Sequence, residues 1–196
     1  MQGLFNFIIK PKGKRYNNSN DNLILNTNIS NHLNVNRQAI VLATPKAIKT
    51  NIKKGDEIIV HHNVFREWYN ANGKRSNSGN YINDELYHCN LDQIYLYKVN
   101  KKWVAVDGYC FVYPIINKDK FKNSIEKPNV GIVRYTDGVF NKGDLVGFRP
   151  NIEHEFIIDN ELLYKINNNF ISIKYEYQGD EKKYNPSWAK SSWRIN

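Results

Sequence analysis

The sequence predicts an all-β chain of two tandem domains, each a small barrel or sandwich, followed by a tail. Three observations predict it. Short runs of β-branched and aromatic residues recur between Gly, Asn and Asp, as in Phe7-Ile8-Ile9, Ala39-Ile40-Val41-Leu42-Ala43, Glu57-Ile58-Ile59-Val60 and Ile171-Ser172-Ile173-Lys174-Tyr175. No stretch long enough for a packed helix carries an apolar stripe at helical spacing. The same order of strand motifs also occurs twice, and a repeat of this size is a small domain.

In the first copy, Phe7-Ile8-Ile9-Lys10-Pro11 leads to Lys54-Gly55-Asp56-Glu57-Ile58-Ile59-Val60, then Leu86-Tyr87 and Ile94-Tyr95-Leu96-Tyr97. In the second, Phe111-Val112-Tyr113-Pro114 leads to Lys142-Gly143-Asp144-Leu145-Val146, then Leu163-Tyr164 and Ile171-Ser172-Ile173. Each Lys-Gly-Asp precedes a strand, where Gly supplies a positive φ and Asp bonds the backbone of its own turn. Asn83-Asp84-Glu85 and Asp159-Asn160-Glu161 take the matching hairpin tips. The first copy also has a longer polar hairpin, Trp68 to Asn80. These signals divide the chain into 1–101, 102–177 and a tail, 178–196. The tail reads as a flexible arm or as a strap on a neighbouring subunit or domain, with Trp188 and Trp193 as the subunit contacts.

Composition narrows the function. The chain has 196 residues, 41% hydrophobic and 13% aromatic, enough to fill cores and to exclude global disorder. No apolar run is long enough to cross a membrane and no secretory signal opens the chain, so a cytoplasmic protein without membrane contact is expected. Cys89 and Cys110 make no disulfide framework and read as reduced, buried thiols. The net charge of +9 suits a polyanion, but the lysines are scattered among many Asn and Ile. Scattered charge of this kind argues against a dedicated nucleic-acid surface.

The ordered motifs resemble the GroES (chaperonin-10) co-chaperonin family over about residues 5 to 175. Phe7-Ile8-Ile9-Lys10-Pro11 is similar to the family's first strand. The run Lys14, Arg15, Tyr16, Asn17, Asn18, Ser19, Asn20, Asp21, Asn22 resembles its mobile loop, and Leu23, Ile24, Leu25 its aliphatic triplet. Gln38 stands where the family's next strand has a glycine, and Val130-Gly131-Ile132-Val133 keeps that glycine in the second copy. Val60-His61-His62-Asn63-Val64-Phe65-Arg66 and Asn185-Pro186-Ser187-Trp188 look most like the tandem co-chaperonin-like proteins of tailed bacteriophages. The resemblance implies two GroES-like β-barrels, no enzyme activity and no cofactor. It also implies assembly as a homo-oligomeric ring, sevenfold in the family, and capping of a GroEL-type bacterial chaperonin through Leu23, Ile24 and Leu25. Two alternatives stand beside it: a virion-associated structural protein with this fold, and a basic single-strand nucleic-acid binder.

Physical chemistry fits the loop assignment. The run Tyr16 to Asn22 holds too little apolar surface to order itself. Burying three aliphatic side chains in a partner is worth roughly 1.5–3 kcal/mol each. Ordering the loop costs about 1–2 kcal/mol per residue. One loop therefore binds weakly, and several on a ring bind together.

Other candidates fall short on spacing. His61, His62, His88 and Cys89 lack the paired ligand spacing of a zinc site, and alternation along 60–65 should set His61 and His62 on opposite faces. Cys89 beside His88 has no nucleophile–base context. Tyr95, Tyr97, Phe111 and Tyr113 alternate as base-stacking side chains do, and equally as cross-strand core pairs do. A nucleotide-binding glycine motif is lacking. Neither catalysis nor a metal is expected.

Overall fold

The computed structural model describes residues 2–16, 34–118, 125–177 and 179–190. Their regular structure is antiparallel β-sheet with short 3-10 turns, so the all-β expectation holds. The chain divides into two compact units between Trp103 and Val104, and the second takes in the tail.

Unit 1 contains β1 (Phe7–Pro11), β2 (Gln38–Ala43), β3 (Glu57–Val60), β4 (Glu67–Tyr69), β5 (Arg75–Asn77), β6 (Tyr81–Asn83), β7 (Leu86–Cys89) and β8 (Ile94–Val99). β9 (Lys102–Ala105) completes its sheet, whose order is β6-β7-β1-β2-β3-β8-β9. Unit 2 contains β10 (Tyr109–Ile116), β11 (Glu126–Thr136), β12 (Leu145–Phe148), β13 (His154–Ile158), β14 (Glu161–Asn167) and β15 (Ile171–Tyr175). Its order is β13-β14-β10-β11-β12-β15, the same path strand for strand, without a counterpart of β9 among the described residues. The pair β4–β5 forms a separate two-stranded sheet that unit 2 lacks. Among the described residues neither large sheet closes on itself, so each is an open sheet rather than a closed barrel.

Register fixes the repeat residue by residue. Ile9 pairs with Val41 and Tyr87, and Val112 pairs with Val133 and Tyr164. Phe7 therefore corresponds to Cys110 and not to Phe111, although sequence alone sets Phe beside Phe. The glycine place of Gly131 likewise falls to Ala39, one residue beyond Gln38, because Pro11 pairs with Ala39 and Pro114 with Gly131. The Gly-Asp turns superimpose in detail. Gly55 and Gly143 have φ of 93° and 95°. Their amides donate to Val41 O (2.8 Å) and Val133 O (2.9 Å). Asp56 accepts from Lys53 N at 2.7 Å and Asp144 from Asn141 N at 2.9 Å, which is the self-bonded turn the residues predict.

Alternation along the strands builds the cores. β2 buries every second residue, and the equivalent inward positions of the two units are Phe7, Ile9, Val41, Ile58, Val60, Cys89 and Cys110, Val112, Val133, Val146, Phe148, Ile166. The cross-strand rung Phe7–Cys89 becomes Cys110–Ile166, so the bulky side chain sits on opposite strands in the two cores. Beside that core, a Cβ on Gly131 would lie 2.6 Å from Val112 Cγ2 and 2.8 Å from Tyr113 O. Gly131→Val should cost unit 2 about 1–3 kcal/mol by overpacking, read as faster amide exchange in β10 and β11; unchanged exchange there would refute this packing.

Over its described part the tail is hydrogen-bonded into unit 2. It lies on its own unit. Ile115 and Lys183 form an antiparallel bridge, with Ile116 N donating to Lys182 O and Tyr184 N to Pro114 O, both at 2.8 Å. Asn185 receives Leu162 N at 3.0 Å, and Glu181 pairs with Lys127 at 3.1 Å. Trp188 lies in a 3-10 turn and is half-exposed, while Trp193 is outside the described residues.

Candidate functional site

The first unit carries a long connection between β1 and β2, and the described residues bounding it form a hydrogen-bonded polar cluster. Tyr16 bridges Val35 in antiparallel fashion, and Asn36 N donates to Arg15 O at 2.9 Å. The Asn36 side chain donates to Lys12 O and Lys14 O, both at 2.9 Å. The two described ends of this connection, its root, thus lie side by side. Lys14, Arg15 and Tyr16, the first residues of the expected loop, take part in these bonds. The rest of that loop, Asn17, Asn18, Ser19, Asn20, Asp21 and Asn22, lies outside the described residues, as do Leu23, Ile24 and Leu25.

Arg15 reaches across the root into unit 1. Its guanidinium donates to Glu67 Oε1 at 2.6 Å, to Asn77 Oδ1 at 3.0 Å and to Phe65 O at 3.1 Å. Its flat face lies 5.3 Å from the Tyr87 ring and 5.8 Å from the Tyr81 ring. Glu67, 4% exposed, gives its other carboxylate oxygen to Arg75, whose Nε donates at 2.8 Å. Glu67 N donates to the Tyr16 hydroxyl at 2.6 Å. Burial pushes the Tyr16 phenol up and holds Tyr87 at about 12, while the Glu67 hydrogen bond raises Arg75 further. The arrangement is a structural ion pair with both carboxylate oxygens taken, so it offers no free acid or base.

In unit 2 the corresponding connection is short: Asn117 N donates to Ile125 O at 2.8 Å, and 119–124 are outside the described residues. The end of β10 is covered there by the tail, at Pro114, Ile115 and Ile116.

The other sequence candidates resolve as follows. His61 and His62 do not point apart. The strand stops at Val60, His61 Nδ1 accepts from Asn63 N at 3.0 Å, and the two rings stack at 4.2 Å. A strand rule fails there because a 3-10 turn has begun. Among the described residues there is no group of three His, Cys, Asp or Glu side chains able to hold a metal. Tyr95, Tyr97, Phe111 and Tyr113 are all buried, which removes them as an open stacking platform. No helix among the described residues is long and apolar enough to cross a membrane. Comparison of the chain with protein-family profiles, curated proteins and solved structures returned no match.

Both cysteines are fully buried, one per core. Burial raises the Cys89 thiol far above its usual range and Cys110 to about 12, because a thiolate there would lose its hydration. A raised thiol pKa in the folded chain stabilises it below the unfolded value and loses that contribution as pH rises from about 9 toward 12. A thiol reagent at pH 8 should label neither cysteine in the native protein and both in urea. Rapid native labelling at either position would contradict the core assignment.

Proposed function

We propose that the chain is a co-chaperonin made of two GroES-like units, which caps a GroEL-type chaperonin ring in a bacterial cytoplasm, in keeping with a tailed phage. The observation that carries this reading is a shared strand path with an asymmetry in the β1–β2 connection. Both units follow one strand path. Only the first bears the long connection with Leu23-Ile24-Leu25, and it springs from a root tied by Tyr16–Val35 and Asn36–Arg15. A recognition segment does best when its ends are fixed, because ordering lost before binding is not lost again on binding. Weak aliphatic contacts then need several copies, which a sevenfold homo-oligomer supplies. GroES-like barrels in each unit and a role for Trp188 and Trp193 between subunits belong to the same reading.

The test is capture of the purified chain by a bacterial chaperonin with and without nucleotide. Nucleotide-dependent capture is expected. Oligonucleotide binding with a steep salt dependence, and no capture, would replace this reading with a nucleic-acid role; neither activity would favour a structural protein of the virion.

A further inference from the structure

Unit 1 exceeds unit 2 by two insertions, the long β1–β2 connection and the β4–β5 hairpin, and the structure joins them to each other. In unit 2, β12 runs to β13 through Arg149–Glu153 without a hairpin. In unit 1 the same interval holds β4 and β5, and all three Arg15 side-chain hydrogen bonds described above end on Phe65, Glu67 or Asn77, within that insertion. The insertion answers with a bond of its own, Glu67 N to Tyr16. The hairpin is closed at its base, since Ser78 Oγ donates to Val64 O at 2.6 Å.

We propose that the β4–β5 hairpin is a buttress for the root of the β1–β2 connection, with Arg15 and Glu67 as positioning residues that fix the direction in which the chain departs at Tyr16 and returns at Val35. The physical case rests on burial and geometry. The Arg15 side chain is 17% exposed and that of Glu67 5%. A guanidinium and a carboxylate this far from water are tolerated only as a hydrogen-bonded pair, so each insertion satisfies the charge the other buries. The fork of Arg15 also meets a carboxylate, a carbonyl and an amide oxygen at once, which constrains orientation as well as distance. Unit 2, with neither insertion, seals the end of β10 with its tail instead.

The test uses the full chain and two variants, Glu67→Gln and Arg15→Met. Hydrogen exchange is followed at Asn36 and at residue 67, whose amides bond Arg15 O and the Tyr16 hydroxyl. Both variants should exchange at least about tenfold faster there, with β7 and unit 2 unchanged. Wild-type exchange at Asn36 in both variants would overturn the proposal. So would equal acceleration throughout β7, which would make the pair a support of the whole unit. A second arm rests on the co-chaperonin reading. With a bacterial chaperonin and a nonhydrolysable nucleotide, Glu67→Gln should bind about tenfold more weakly although Leu23-Ile24-Leu25 is intact. Binding equal to wild type would overturn the positioning role. If the wild-type chain itself is not captured, the functional reading fails and the exchange arm still decides the buttress.

Discussion

Phe7→Ala should cost unit 1 about 3–5 kcal/mol and leave unit 2 at wild-type stability. Phe7 is fully buried, faces Cys89 across the β1–β7 ladder, and belongs to the buried set that includes Ile9, Val41, Ile58 and Val60. Removing the ring opens a cavity that a sheet fixed on both sides cannot close. The repeat adds a sharper form of the same prediction. Unit 2 fills the equivalent rung with Cys110 and Ile166, so Phe7→Cys combined with Cys89→Ile copies a rung the fold already accepts. Phe7→Cys alone should cost about 2–4 kcal/mol, and adding Cys89→Ile should return at least about 1 kcal/mol of it. Native-state exchange at Ile9 and Val41, against Val112 and Val133 as the control, separates the units, which a single unfolding midpoint would not. Purely additive losses would mean that the two rungs are not equivalent.

Ile24→Ser should abolish stable capture by a chaperonin ring while both cores exchange as in wild type. Losing one buried aliphatic side chain costs roughly 1.5–3 kcal/mol per contact. On a ring the loss recurs at every engaged subunit, so a modest change in each loop compounds. Capture that survives the substitution would remove the triplet from the interface. A large drop in stability would show it to be core.

Much of the fold was legible because its signals are local. A Gly-Asp turn places its positive φ and its side-chain bond within four residues, and alternation declares which side of β2 faces inward. Register was less legible. Phe7 looks like Phe111 in the chain, but backbone pairing sets it against Cys110, and only the cross-strand partners Cys89 and Ile166 reveal the exchange of bulk. The placement of the tail was hidden for a related reason: Lys182 and Tyr184 bond through their backbones, and backbone bonds leave no side-chain period to read.

The site was legible in part. A polar run ending in an aliphatic triplet marks the connection in sequence, whereas the pair that roots it does not. Arg15 and Glu67 are separated by 52 positions, Arg15 in a basic, polar stretch and Glu67 among aromatic residues, and neither neighbourhood announces the other. The weak signal available was the insertion itself: the first copy has extra sequence in two places, and insertions of one repeat are candidates for contact with each other. The histidines show the converse error. A strand rule carried past Val60 set His61 and His62 on opposite faces, where the 3-10 turn stacks them.

Electron microscopy of the purified chain mixed with a bacterial chaperonin and a nonhydrolysable nucleotide tests the central claim most directly. A ring-shaped cap on one or both ends of the chaperonin cylinder is the predicted result, absent without nucleotide and absent for Ile24→Ser. Bare cylinders beside unassembled protein, at concentrations well above micromolar, would contradict it.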